Sequence, residues 1–181
     1  MKRYTISTAL ILFIGIAVSG QVFNTSATLK PGRFNLGIEP SVYVGGATDF
    51  NLFLHGGVGI VHGIDFAMKL GLMGDQVYVG GDVEFSLTKR ISFAAGAHNY
   101  NDFGLDFTGL FTFPLGSSAS IFGGLDADLN FPGDNIDVPL WIPLGLEIPM
   151  KKNILFIFET EINVTNHNRH FIGGGVNFLF G

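Results

Sequence analysis

Val138-Pro139-Leu140-Trp141-Ile142-Pro143-Leu144-Gly145-Leu146-Glu147-Ile148 places six aliphatic side chains, at 138, 140, 142, 144, 146 and 148, at strict two-residue spacing. Successive side chains of an extended chain point to opposite sides, so the run carries one continuous apolar face. The same period recurs along almost the whole of the 181 residues, in runs separated by Gly, Asn, Asp and Pro. Repeated segments of about ten residues with this alternation are what a strand needs to cross a membrane with one face in lipid and the other toward water.

The outward apolar sets begin at Phe34, Leu52, Ile64, Val77, Ile91, Phe103, Ile121, Val138, Phe156 and Ile172. They predict an all-β chain folded as a single antiparallel up-and-down transmembrane β-barrel of ten strands. Eight is the alternative, because Pro139, Pro143 and Pro149 each remove a ladder donor from the eighth strand. An even count returns both termini to the periplasmic side.

Composition points the same way. Charged residues make up 14% of the chain, where about 25% is usual. Phe (19) and Gly (26) are abundant, yet beyond the first twenty residues no apolar run approaches the ~20 that a membrane helix requires. A soluble secreted barrel with its apolar face turned inward would expose Lys and Glu. Here the polar face is mostly Gly, Asn, Ser and Thr, which favours lipid outside. The absence of cysteine excludes disulfides, thiolate metal sites and a cysteine nucleophile.

At the N-terminus, Lys2 and Arg3 precede an apolar core from Ala9 to Val18 and the small residues Ser19 and Gly20. This is the pattern of a secretory signal peptide over 1–20, with cleavage before Gln21. A short periplasmic segment, 21–32, would then lead into a barrel domain over 33–181. Cleavage would leave eight basic against fifteen acidic residues, a net charge of -7. Such an acidic chain is not a nucleic-acid binder.

The end of the chain, Gly175-Val176-Asn177-Phe178-Leu179-Phe180, resembles the Gly-x-x-aromatic-x-aromatic signal that closes bacterial outer-membrane barrels. With the leader and the ten alternating runs, residues 33–180 resemble the small bacterial outer-membrane β-barrel, porin-like family. The resemblance implies a bacterial outer-membrane location, contact with its lipid, and recognition of Gly175, Phe178 and Phe180 by the barrel-assembly machinery. Two departures are Gly181 after the terminal aromatic and Gly174 before the motif. In that orientation the outer connections carry Asp49, Asp75, Asp102, Asp134 and Asp137, and the inner ones Lys89, Arg90, Lys151 and Lys152.

The polar phase of the strands holds Glu39, Asp65, Asp82, Glu84, Asp106, Asp126, Asp128, Glu147, Glu159 and Glu161, opposed by Lys69 and Arg169 with help from His55 and His98. Burying a bare carboxylate costs several kcal/mol. The excess therefore predicts either a wet lumen that favours cations by its field, or a plug in which the acids bond to neighbouring polar groups. Small barrels accommodate both.

Catalytic chemistry is not expected. Asp126-x-Asp128-x-Asn130 imitates the start of a calcium loop, but Phe131 stands where glycine is required. The pairs Asp82/Glu84, Asp126/Asp128 and Glu159/Glu161 are what any polar lumen contains. Asn166-His167-Asn168-Arg169-His170 offers two imidazoles near an outer turn, and Gly56-Gly57-Val58-Gly59 lacks the helix and Lys of a phosphate loop. No metal or cofactor is called for. The expectation is an outer-membrane barrel with a structural or porin-like role, including a narrow cation-preferring passage. The alternatives are a membrane-embedded enzyme acting at the outer rim and a soluble secreted barrel binding an apolar ligand.

Overall fold

A computed structural model describes residues 25–45, 49–165 and 169–181. The expected signal peptide, 1–20, lies outside them. The alternating runs form ten strands: β1 Phe34–Val44, β2 Phe50–Val61, β3 Ile64–Met73, β4 Gln76–Ser86, β5 Ile91–Tyr100, β6 Asp102–Pro114, β7 Ser120–Asn130, β8 Leu140–Lys151, β9 Ile154–Asn163 and β10 His170–Phe180. Each pairs antiparallel with its chain neighbours, and β1 pairs with β10 to close the barrel.

The registers keep one face apolar all the way round. Phe34 opposes Val58, Val58 opposes Phe66, and the row continues through Val83, Ala95, Phe107 and Ala127 to Leu140. Carried once round the ten registers, the ladder returns to β1 twelve residues further along. Such an offset requires strands tilted by roughly 35–45°. Closure leaves no unpaired edge, the one sheet arrangement that satisfies every backbone group in hydrocarbon.

Prolines interrupt the ladder without opening it. The β7–β8 pairing passes from Gly123↔Leu144 to Asp126↔Trp141 in unchanged register, skipping the level of Pro143, and β1–β10 skips the level of Pro40. Pro143 points inward and is fully buried, so its missing N–H is tolerated where β9 still pairs on the other side. Ten strands stand, not eight. β8 begins at Leu140, and Val138 and Pro139 belong to the connection before it. The hairpin turns at Gly63 (φ 80°) and Gly74 (φ 62°) use the left-handed conformation that glycine adopts without strain.

Exposed large apolar side chains cover the outer wall, among them Leu36, Leu54, Met68, Val79, Phe107, Leu125 and Phe158. In water such a surface would aggregate; in a bilayer it is the required solvent interface. Arginine in place of Phe107, midway along β6, is expected to cost about 2–4 kcal/mol in a bilayer. The same change at Ser117, exposed in the β6–β7 turn, should stay within about 0.5 kcal/mol. Urea titration in lipid vesicles, read by heat-modifiable gel mobility, tests the difference.

Candidate functional site in the lumen

The strands alternate, so every second residue faces inward. The charged connections segregate to opposite ends. Asp75, Asp102, Asp134 and Asp137 lie at the end opposite the C-terminus, while Lys89, Arg90, Lys151 and Lys152 lie at the C-terminal end with Lys30 and Arg33. Taking the C-terminal end as the lower one, the lumen divides into a lower mouth, a waist and an upper vestibule.

The lower mouth encloses about 320 Å³ and is lined by Asp65, Glu84 and Glu147 together with Thr25, Thr28, Leu29, Lys30 and Arg33. The segment before β1 turns into the barrel. The Leu29 N–H donates to Asp65 Oδ2 at 2.7 Å, the Thr28 and Ser86 hydroxyls meet at 2.9 Å, and Ser26 is buried. Gly32 N–H donates to the Gly59 carbonyl at 2.9 Å, and Gly59 N–H to the Arg33 carbonyl at 2.8 Å. A Cβ on Gly59 would strike the Lys30 carbonyl, so glycine is what lets the segment lie against β2. With no cysteine elsewhere in the chain, Thr28→Cys with Ser86→Cys should form a disulfide on oxidation. Its yield, read by gel mobility without reductant, reports whether the segment sits there in the membrane.

The waist is tightly filled. Glu39 and Glu159 are fully buried, and His55 Nε2 lies 3.0 Å from Glu39 Oε2. Beside them Leu110, Phe122 and Ile157 form one apolar cluster, and Phe53, Met73, Tyr78 and Phe171 another. Glu39, His55, Leu110, Phe122, Ile157 and Glu159 line neither the lower nor the upper cavity.

The upper vestibule encloses about 380 Å³ and opens between the acidic connections. Its wall holds Lys69, whose Nζ is 3.4 Å from Asp82 Oδ2. His98 Nδ1 bonds to Asp106 Oδ1 and its Nε2 lies 2.9 Å from Asn130 Oδ1. Thr108 donates to Asp126 at 2.5 Å, and Trp141 Nε1 donates to Asp128 Oδ2 at 3.1 Å. The Arg169 guanidinium stands 5.6 Å from the centroid of the Tyr43 ring, and Glu161 completes the wall. Asp106 and Asp128 are direct cross-strand partners. Among the described residues, His98, Asp106 and Asp128 can offer ligand atoms within 4.8 Å of one another, a set suited to a cation.

The acids expected on the polar phase thus fall into three groups: Asp65, Glu84 and Glu147 below, Glu39 and Glu159 at the waist, and Asp82, Asp106, Asp126, Asp128 and Glu161 above. Lys69 and Arg169 both stand in the upper group. Of the loop pair of imidazoles, His170 is at the start of β10 and residues 166–168 lie outside the described residues. In the C-terminal motif, Gly175 faces inward, whereas Phe178 and Phe180 face outward at the β1–β10 seam, where Phe180 stacks on Phe34 at 4.9 Å.

Alternation does not pick out the inward apolar residues. Phe53, Leu110, Phe122, Ile157 and Phe171 sit in the polar phase of their strands. The signal for two of them lies across the sheet: Phe53 opposes Gly71 and Phe122 opposes Gly145, and a Cβ on either glycine would strike the facing ring. A large ring lying over a cross-strand glycine fills space that the glycine leaves and covers its backbone.

A closed barrel of ten tilted strands, apolar outside and acidic within, defines a transmembrane β-barrel of the outer-membrane class. No family model matches the chain, and no curated protein matches it in sequence. Among solved structures, the KdgM porin superposes with a TM-score of 0.50 at 11% identity, covering 80% of this chain and 99% of the porin. The KdgM porin in complex with disordered oligogalacturonate gives 0.51 at 10% identity, covering 80% and 99%. The NanC porin gives 0.49 at 10% identity, covering 80% and 97%. At these identities the likeness to the two KdgM structures is one of fold.

Proposed function

We propose that the protein serves in the bacterial outer membrane as a small porin-like barrel whose lumen prefers cations. The observation that carries this reading is the excess of inward carboxylates over the basic side chains that face them, Lys30 and Arg33 at the lower mouth and Lys69 and Arg169 in the vestibule. Fixed charge of one sign in a low-dielectric wall concentrates counter-ions and repels co-ions. Residues 1–20 act as the export leader in this reading, and the aromatic end of β10 is the strand offered to the barrel-assembly machinery.

Conduction requires the waist to part, since Glu39, His55, Phe122 and Ile157 close it in this conformation. The filled waist also favours a second reading, a barrel with a structural role and no passage. Planar-bilayer recording under a potassium chloride gradient separates them. The expected result is a small conductance whose reversal potential lies toward that of potassium, and Asp82→Asn with Asp126→Asn should move it toward zero. A bilayer that stays silent with verified inserted protein leaves the structural role.

A further inference from the structure

We propose that the upper vestibule binds an organic cation with an apolar body, such as an amine, a guanidinium or a quaternary ammonium compound. The inference goes beyond passage, because a cavity closed at its floor binds whether or not the waist ever opens.

Size, charge and wall chemistry converge. The cavity's volume, about 380 Å³, falls at the small-ligand end of the ~300–1,000 Å³ typical of binding pockets. Seven carboxylates line it against Lys69 and Arg169, so a bound cation meets net negative charge. Four of the carboxylates are held in place, Asp82 by Lys69, Asp106 by His98, Asp126 by Thr108 and Asp128 by the Trp141 indole. Carboxylates alone would suit any cation. The rings of Tyr43, Tyr78, Tyr100 and Trp141 in the same wall are what select one with an organic body. A cation over an aromatic face gains about 0.5–2 kcal/mol, most where water is excluded. The cavity already holds one cation in this way, for the Arg169 guanidinium sits over Tyr43. Asp75, Asp102 and Asp134 at the rim would draw positively charged solutes toward the opening.

The chain supplies its own reporter, because Trp141 is its single tryptophan. The test titrates the refolded full barrel in a non-ionic detergent with butyltrimethylammonium chloride, following Trp141 emission. Sodium butanesulfonate and sodium chloride serve as controls. The expected result is a saturable change with the ammonium compound, none with the sulfonate, and weakening as salt rises. Asp126→Asn and Tyr43→Leu should each weaken binding by about tenfold. A linear response, or an equal response to the sulfonate, overturns the proposal. So does a saturable response to calcium chloride in the absence of any to the ammonium compound, which would make the site one for inorganic ions at His98, Asp106 and Asp128. Heat-modifiable mobility verifies folding of each variant. If Asp126→Asn does not fold, the rim change Asp102→Asn must weaken binding instead, and its failure to do so counts against the site. Saturable binding in a protein that leaves bilayers silent removes passage and keeps the site; conductance without saturable binding does the reverse.

Discussion

Gly124→Leu is expected to leave most of the chain unable to close its barrel, whereas Gly109→Ala, one strand away, should be neutral. The two glycines occupy opposite phases of neighbouring strands. Gly109 on β6 looks outward, and a Cβ there meets nothing within 4 Å. Gly124 on β7 looks inward, where a Cβ would strike the Gly109 carbonyl oxygen and lie 2.9 Å from Leu110 Cδ2. A clash with a flexible side chain is relieved by a change of rotamer. A clash with backbone is not, because moving Gly109 means moving the β6–β7 ladder. Overpacking of this kind costs about 1–3 kcal/mol, more where the backbone itself must shift. The leucine also lands beside the waist cluster of Leu110, Phe122 and Ile157, which has no room for it. Folding yield into vesicles, read as the heat-modifiable band, should fall several-fold for Gly124→Leu. Equal yields for the two variants would mean that β6 and β7 are not packed as closely as described.

The contrast between these glycines also shows what could be read from the chain before its fold was known. Period two gives the phase of each run, and so the wall: the residues from Phe34 through Phe107 to Leu140 that ring the barrel are those that alternation places outside. It gives the inward acids for the same reason. It is blind to two things. Phase does not say which inward residues fill space, because Phe53 and Phe122 stand in the polar phase and are matched by Gly71 and Gly145 on strands whose register sequence alone does not fix. Nor does it reach the segment from Thr25 to Lys30, which has no alternation to read. Its course is set by single contacts, Leu29 to Asp65 and Thr28 to Ser86, with partners 36 and 58 residues away. The division of the lumen into two cavities rests on those features, and so the acid excess alone left a wet passage and a plug equally open.

Phe178→Ala with Phe180→Ala is expected to lower the membrane-assembled protein several-fold in cells, and the reason can be separated into two parts. One is mechanical. Phe180 opposes Phe34 across the seam with the rings stacked at 4.9 Å and 12°, and Phe178 opposes Leu36. A stacked pair contributes about 0.5–1.5 kcal/mol beyond area, and it sits where the first and last strands must meet to close the sheet. The other is recognition, since an exposed amphipathic strand is an edge to which another sheet can add before closure. Phe34→Ala distinguishes them: it removes the same stack and leaves the C-terminal residues intact. If recognition dominates, Phe34→Ala lowers the urea midpoint of the finished barrel but leaves the assembled amount in cells near that of the parent, while Phe180→Ala lowers both. If closure dominates, the two single variants fall together, in cells and in refolding from urea with lipid alone. Unchanged assembly in the double variant would remove both accounts, and the seam would then owe its stability to the backbone ladder from Phe34↔Phe180 to Val44↔His170.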